Sequence, residues 1–496
     1  MPVSRTDRGT PSVIILLADG ARADTLASAI DAGALPAMAR MRDEGGMHEV
    51  TTVFPSVTGP AYAPFLMGRF PGDVGLPGLR WFDRARTGAT APDHCRSYVG
   101  VEMAYVDRDI DPASPTAFEL APSSLGAMNM ISRGLPRASR LGAGWRFALR
   151  AAGVHFRGDV RGWLAIDRDM ASSVARHVRE QRPAFTFAAL TGVDKSSHAT
   201  GHDGAAVIDA LRVVDELAAE IRHDAERAGR WDDTHLWIAS DHGHSPVRHH
   251  DDLAGAVRAG GYGVIAHPWV YGHRRDVAVM VSGNAMAHLY VELARRERGW
   301  WPALRNRWES LAALLLERES VDVLMLPIRA DLCEVRTRDR GTAHIAREGS
   351  GPAARYSYLP VDGDPLGFGE LRDLTADESH DATIDSDYPD ATVQIASLAG
   401  SSRAGDLIIS AARDWDLRAK WEPIPHRSSH GALHRDHMIV PLLLNHRPSE
   451  TPRRTTDVFA SAMHLLGVPL PAAADGASFA RAESHNAEMW NSISER

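Results

Sequence analysis

At 496 residues, 44% hydrophobic and 24% charged, the chain has the composition of a globular protein with room for a large core. A net charge of −9 excludes a general attraction to nucleic acid or anionic lipid, and no run approaches the roughly 20 apolar residues that span a bilayer. Two cysteines, Cys95 and Cys333, exclude a disulfide framework or a thiolate metal cage and are expected as free thiols; MPVSRTDRGT has no apolar leader pattern, so a soluble cytoplasmic protein is expected.

Ser12 to Ala18 (SVIILLA) is a continuous apolar run and predicts a central parallel strand ending at Asp19-Gly20. Helical patterns follow from Ala23 to Ala32 and from Ala37 to Gly46, the second closed by its glycines. Met47 to Phe54 reads as a β segment leading into Pro55-Ser56-Val57-Thr58-Gly59-Pro60, and Ala61 to Met67 as a helix ended by Gly68. Thr58 thus falls between a strand end and a helix N-terminus, where backbone N–H groups favour an anion. From Leu79 to Pro183 the chain is irregular, with scattered aromatics and a helix near its end, Asp167 to Glu180. It reads as an insertion covering one edge of a site.

Phe185 to Leu190 is again strand-like and runs into Thr191-Gly192-Val193-Asp194. Asp194 and His198 stand one helical turn apart, so both can point at one atom. The amphipathic helix Gly204 to Arg222 follows. Thr234 to Ser245 (THLWIASDHGHS) then joins a short apolar run to Asp241-His242-Gly243. A carboxylate and an imidazole at the carboxyl end of a strand suit a borderline metal such as zinc; a helix cap beside a chance histidine is the other reading.

Pro246 to Ser401 is a second long excursion, with strands at Val277 to Val281, His288 to Val291 and Val321 to Leu326, a helix at Trp301 to Glu317, and an acidic, turn-rich stretch from Asp362 to Pro389. Gly405 to Ala411 is read as the strand that brings the chain back. Ser428-Ser429-His430-Gly431 comes next, then His434, His437, the apolar run Ile439 to Leu444 and a last helix, Thr456 to Leu466. The expected organisation is a doubly wound, mostly parallel α/β core flanked by helices (residues 1–78, 184–245 and 402–496), interrupted by insertions at 79–183 and 246–401.

Three apolar runs end at aspartate: Asp19, Asp194 and Asp241. His198 and His242 stand beside them, and His430 sits beside a glycine in a turn. Six N/O donors and one hydroxyl suffice for two metal sites with open positions.

On these residues the chain resembles the alkaline phosphatase superfamily, most closely its nucleotide pyrophosphatase/phosphodiesterase branch. The spacing of Thr58, Gly68, Pro71 and Gly75 matches that family's nucleophile segment, and Asp194/His198, Asp241-His242-Gly243 and His430-Gly431 follow in family order. The resemblance covers Ser12 to about Gly75, Phe185 to Ser245 and Gly405 to Pro469. It implies an alkaline phosphatase-like fold with one divalent metal on Asp194, His198 and His430. A second would be held by Asp19, Asp241, His242 and the Thr58 hydroxyl. Zinc is expected, with Mn, Fe or Mg as alternatives. The implied activity is hydrolysis of small-molecule phosphate diesters or pyrophosphates through a phospho-threonine, since a threonine hydroxyl is a poor nucleophile without a metal. Alternatives are phosphomonoester or phosphonate hydrolysis, a phosphoryl transferase or mutase, and a metal-binding protein without turnover. Ser56 is the rival nucleophile.

The sequence also departs from the family pattern. Ala61 stands where the family usually has Asn, which donates to a phosphoryl oxygen, and Tyr62 and Val74 stand where it often has His. Lys195, His434 and Arg435, adjacent to the ligand motifs, are candidate substrate-binding replacements. Neither cysteine has the Cys-x-Pro-x-Arg setting of a sulfatase. His202, His244, His249 and His250 are read as outer or solvent-facing. Trp81, Phe82 and Tyr105 are read as candidates to pack against a leaving group, and no specific nucleic-acid partner is expected.

Overall fold

The computed structural model describes residues 11–86, 95–267, 275–417 and 424–480. Its centre is a seven-stranded sheet. From edge to edge the strands are Met47–Thr51, Ile439–Leu444, Thr234–Ala239, Ser12–Ala18, Phe185–Leu190, Ser124–Ala127 and Arg140–Leu141. Ser12–Ala18 is parallel to both of its neighbours, and Ile439–Leu444 runs antiparallel to the strands on either side of it. The sheet is mixed and mostly parallel, with helices on both faces, as the alkaline phosphatase-like reading requires.

Alternation along the first strand explains its unbroken hydrophobicity. Val13, Ile15 and Leu17 point into one apolar cluster with Phe65, Trp237 and Phe459, while Ile14, Leu16 and Ala18 point into another with Leu26, Val174 and Leu211. A strand covered on both faces has no polar side to show. The helices over the second face are Ala23–Asp31, Pro36–Glu44, Val160–Gln181 and Ala205–Arg227. Val160–Gln181 starts seven residues before its expected N-terminus, with Asp159 accepting from Gly162 N–H as its cap.

The segment read as a first insertion is partly structural core, since Ser124–Ala127 and Arg140–Leu141 extend the central sheet at one edge. The second excursion builds a nine-stranded, mostly antiparallel sheet, from Val264–Ala266 at one edge to Leu371–Leu374 at the other. One strand expected in the core belongs here instead. Leu407–Ala411 pairs antiparallel with Met286–Val291 and Val321–Arg329, in the middle of the second sheet. A wholly buried apolar run carries no mark of which sheet it joins. Cys95 and Cys333 are free and buried, and no helix among the described residues is long and apolar enough to cross a membrane.

Candidate active site

Three adjacent strands deliver the three aspartates. Ser12–Ala18 has Ala18 opposite Leu190 on one side and Leu17 opposite Ala239 on the other. Asp19, Asp194 and Asp241 therefore emerge at the carboxyl end of the sheet at nearly one level, all three buried. Backbone bonds tie the junction together: Asp19 N–H donates to the Leu190 carbonyl at 3.1 Å, and Gly20 N–H donates to Asp241 Oδ1 at 3.2 Å.

The histidines arrive by two local devices. Asp194 and His198 sit one turn apart on the helix Gly192–Thr200, with His198 Nε2 3.2 Å from Asp194 Oδ1. A three-stranded ribbon brings the others. Ser245–His250 pairs antiparallel with Ser428–Ser429, Ser245 opposite Ser429, so the residue before the first and the residue after the second, His244 and His430, stand side by side. Gly243 is required where the chain turns into this ribbon, because a Cβ there would lie 2.1 Å from the Asp436 carbonyl oxygen.

Each of these imidazoles is fixed at Nδ1 by an oxygen: His198 by the Ser428 carbonyl (2.8 Å), His242 by the Gly243 carbonyl (3.1 Å) and His430 by the Ser56 carbonyl (3.0 Å). A carbonyl only accepts, so each Nδ1 carries a proton and Nε2 is the ring atom turned to the site. Those Nε2 atoms face carboxylates. His430 Nε2 is 3.6 Å from Asp194 Oδ1, and His242 Nε2 is 3.4 Å from Asp19 Oδ1 and 3.6 Å from Asp241 Oδ2. Asp241 Oδ2 is buried without a hydrogen-bond partner. Imidazole Nε2 atoms and carboxylates converging out of water suit a divalent cation, each histidine oriented from behind.

The ligand atoms fall into three overlapping groups, each within 4.8 Å: Asp19, Asp241 and His242; Asp194, His242 and His430; and Asp194, His198 and His244. These are buried His/Asp clusters compatible with two metal ions. Without a metal, protons offset the buried carboxylates. Burial, reinforced by Asp19, pushes the Asp241 carboxyl up to about 8. Burial works against charge on His242, but Asp241 and Asp19 outweigh it and bring its pKa to about 9. Burial likewise works against a charged Asp194, yet Lys195 and His198 hold it well below the usual carboxylate range.

Thr58 sits beside the first group. Its Oγ1 lies 3.2 Å from Asp19 Oδ1 and 3.1 Å from His242 Nε2. The rival hydroxyl is elsewhere: Ser56 is fully buried and donates to the Ala432 carbonyl at 3.0 Å. Among the candidate substrate-binding residues, Lys195 is at the site, its Nζ donating to Asp194 Oδ2 at 2.7 Å. Arg435 instead donates to the Ile384 carbonyl at 2.5 Å and faces Glu49 at 3.7 Å. His434 is buried against the His437 ring, and burial pushes its pKa down to about 3.

The family departures have a packing explanation. Ala61 is in an apolar cluster with Phe54 and Leu433, while Tyr62 and Val74 lie in the core beside the central sheet, Tyr62 edge-on to Phe187. None of the three replaces the missing amide donor. Trp81 and Phe82, read as leaving-group contacts, are core residues, with Trp81 Nε1 donating to Tyr98 and Phe82 packed on Tyr290. Tyr105 has the guanidinium groups of Arg96 and Arg108 over its ring. Bulk and aromaticity suit a core as well as a pocket, and sequence does not separate the two.

Other neighbours of the site were read as outer residues or not singled out in the sequence. His244 is fully buried, with Nε2 3.1 Å from Asp194 Oδ1, whereas His249 and His250 are exposed. His426 stacks on His198 with centroids 4.4 Å apart and has its Nδ1 2.8 Å from Asp416 Oδ2. Arg22 donates to the His244 carbonyl at 2.5 Å. The Asp241-His242-Gly243 motif two residues upstream was the available signal for His244; nothing local marks His426 or Arg22.

The carboxylate–imidazole cluster thus sits at the carboxyl end of a parallel-centred α/β sheet, where ligands bind in open sheets of this kind. The model of the Type I phosphodiesterase/nucleotide pyrophosphatase family matches residues 13–437, and the chain belongs to that family of phosphoric ester hydrolases. Solved structures share the fold. Phosphonoacetate hydrolase from Sinorhizobium meliloti 1021, in complex with phosphonoformate, superposes with a TM-score of 0.53 at 16% identity, covering 93% of this chain and 97% of its own. Murine ectonucleotide pyrophosphatase/phosphodiesterase 5, in an inactive form with AMP, gives 0.54 at 14% identity over 93% and 96%. The human form gives 0.54 at 14% over 97% and 99%. Among curated proteins, none matches the chain.

Proposed function

We propose that this chain hydrolyses small phosphate diesters or pyrophosphates, with Thr58 as nucleophile, Asp19, Asp241 and His242 around one metal, and Asp194, His198 and His430 serving the other. The observation that carries the reading is the position of Thr58 Oγ1, in contact with both Asp19 and His242. Two divalent ions, zinc by the mixed N/O donor set, would offset the buried carboxylates, lower the pKa of the attacking hydroxyl and stabilise the departing oxygen. Thr58 Oγ1 gives up its proton to solvent and forms a bond to phosphorus while the ester oxygen leaves with its electron pair and takes up a proton from solvent. Water then attacks the same phosphorus, the threonine–phosphorus bond breaks, and the hydroxyl is restored. The Lys195 ammonium, beside Asp194, is placed to pair with a phosphoryl oxygen in the absence of an amide at Ala61.

Phosphonate hydrolysis is the second reading. It is favoured by the same missing amide and by the phosphonoacetate hydrolase among structures of this fold. Assays of p-nitrophenyl phosphate, bis(p-nitrophenyl) phosphate and a p-nitrophenyl phosphonate, run with parent and Thr58→Ala, separate the readings. Highest kcat/KM on the bis ester, lost in the variant, supports the proposal. Turnover confined to the phosphonate transfers it to the second reading, and equal turnover by parent and variant overturns Thr58 as nucleophile.

A further inference from the structure

We propose that His244 is itself a ligand of the Asp194/His198 metal, so that four imidazoles rather than three serve the two-metal centre. The inference rests on the two-metal reading and adds a ligand outside the Asp194/His198/His430 and Asp19/Asp241/His242 sets.

Three observations carry it. The first is grouping. The compact cluster built on Asp194 and His198 is completed by His244, whereas His430 groups with Asp194 and His242 and stacks on the His242 ring, centroids 3.7 Å apart and 7° from parallel. The second is proton bookkeeping. Ser428 Oγ donates to the Ser197 carbonyl at 2.7 Å, so at its 3.2 Å contact with His244 Nδ1 the hydroxyl oxygen accepts and Nδ1 carries the proton. His244 therefore turns its Nε2 toward Asp194 Oδ1 at 3.1 Å, the oxygen that His198 Nε2 faces at 3.2 Å. Two Nε2 atoms that converge on one carboxylate oxygen are placed to share a cation with it. Ligand atoms about 2.0–2.1 Å from a tetrahedral zinc lie about 3.3 Å apart, close to both distances.

The third is room made for the ring. A Cβ on Gly20 would come within 2.8 Å of His244 Nε2 and 3.2 Å of Asp194 Cβ, and Gly20 has φ +77°, so the backbone beside Asp19 leaves the space that His244 fills. Asp194 is then divided in function, with Oδ1 facing the imidazoles and Oδ2 bound by Lys195 at 2.7 Å.

Cobalt(II) substitution tests this without turnover. Each imidazole bound through Nε2 keeps its Nδ1 proton, which gives one exchangeable, hyperfine-shifted proton resonance. With two cobalt ions per chain, four such resonances are expected, falling to three in His244→Gln, together with a loss of affinity for one of the two ions on the order of tenfold or more. Three resonances in the parent at full loading, or an unchanged count in His244→Gln, would overturn the proposal and leave the two-metal reading standing. A parent that binds no cobalt would overturn both. If the variant does not fold, the parent's count of four or three decides.

Discussion

The Lys195 ammonium stands 2.7 Å from Asp194 Oδ2, one residue along a helix from the metal-ligand candidate it neutralises. A quarter of its side chain remains accessible, so the cation faces outward while its charge is held at the site. Lys195→Met should leave the fold and both metals in place and lower kcat/KM on an anionic diester on the order of ten- to a hundredfold, mostly through KM. Steady-state kinetics with metal analysis checks this, and unchanged kcat/KM would remove Lys195 from substrate binding.

Thr58 and Ser56 make a paired prediction. Thr58→Ala removes the hydroxyl that touches Asp19 and His242, and turnover should fall on the order of a hundredfold or more. Thr58→Ser should keep substantial activity. Ser56→Ala loses one hydroxyl bond to Ala432, about 1 kcal/mol, but keeps the backbone carbonyl that fixes His430 Nδ1, so its turnover should be near parental. Dead Ser56→Ala beside active Thr58→Ala would shift the nucleophile by two residues.

Asp241 offers the direct test of the metals. Its Oδ2 is buried without a hydrogen-bond partner, a lack that a bound cation would make good. Parent protein should carry close to two divalent ions per chain by elemental analysis and lose activity in EDTA, and Asp241→Asn should retain close to one. Full activity of metal-free parent would refute the metallohydrolase mechanism.

His288 gives a pH prediction away from the site. It is fully buried, donating through Nε2 to the Pro77 carbonyl at 2.8 Å and accepting at Nδ1 from Gly405 N–H at 3.1 Å. Burial pushes its pKa down to about 4. Because the unfolded chain takes up this proton near pH 6.5 and the folded chain only near 4, folding stability falls as pH drops through that window and levels off below it. The shift is worth on the order of 3 kcal/mol. Urea titrations from pH 7 to 4 in EDTA should show a shallower acid loss for His288→Gln than for the parent; parallel curves would contradict it.

What the sequence determined by itself was the set of chemical groups and their order. Ser12–Ala18, Phe185–Leu190 and Thr234–Ala239 are short apolar runs, and strands buried on both faces announce themselves by lacking a polar side. The Asp-x-x-x-His turn and the Asp-His-Gly junction are local, so Asp194/His198 and Asp241/His242 were legible as pairs. The tertiary structure decided what depends on contacts between distant segments. It placed Leu407–Ala411 in the second sheet, buried Trp81 and Phe82 in the core, and turned Arg435 toward Glu49. It also made His244 a neighbour of Asp194, because Ser245 pairs with Ser429 nearly two hundred positions away and that register carries His244 into the cluster. Side-chain chemistry is written residue by residue, but register between strands is set only when the chain closes on itself.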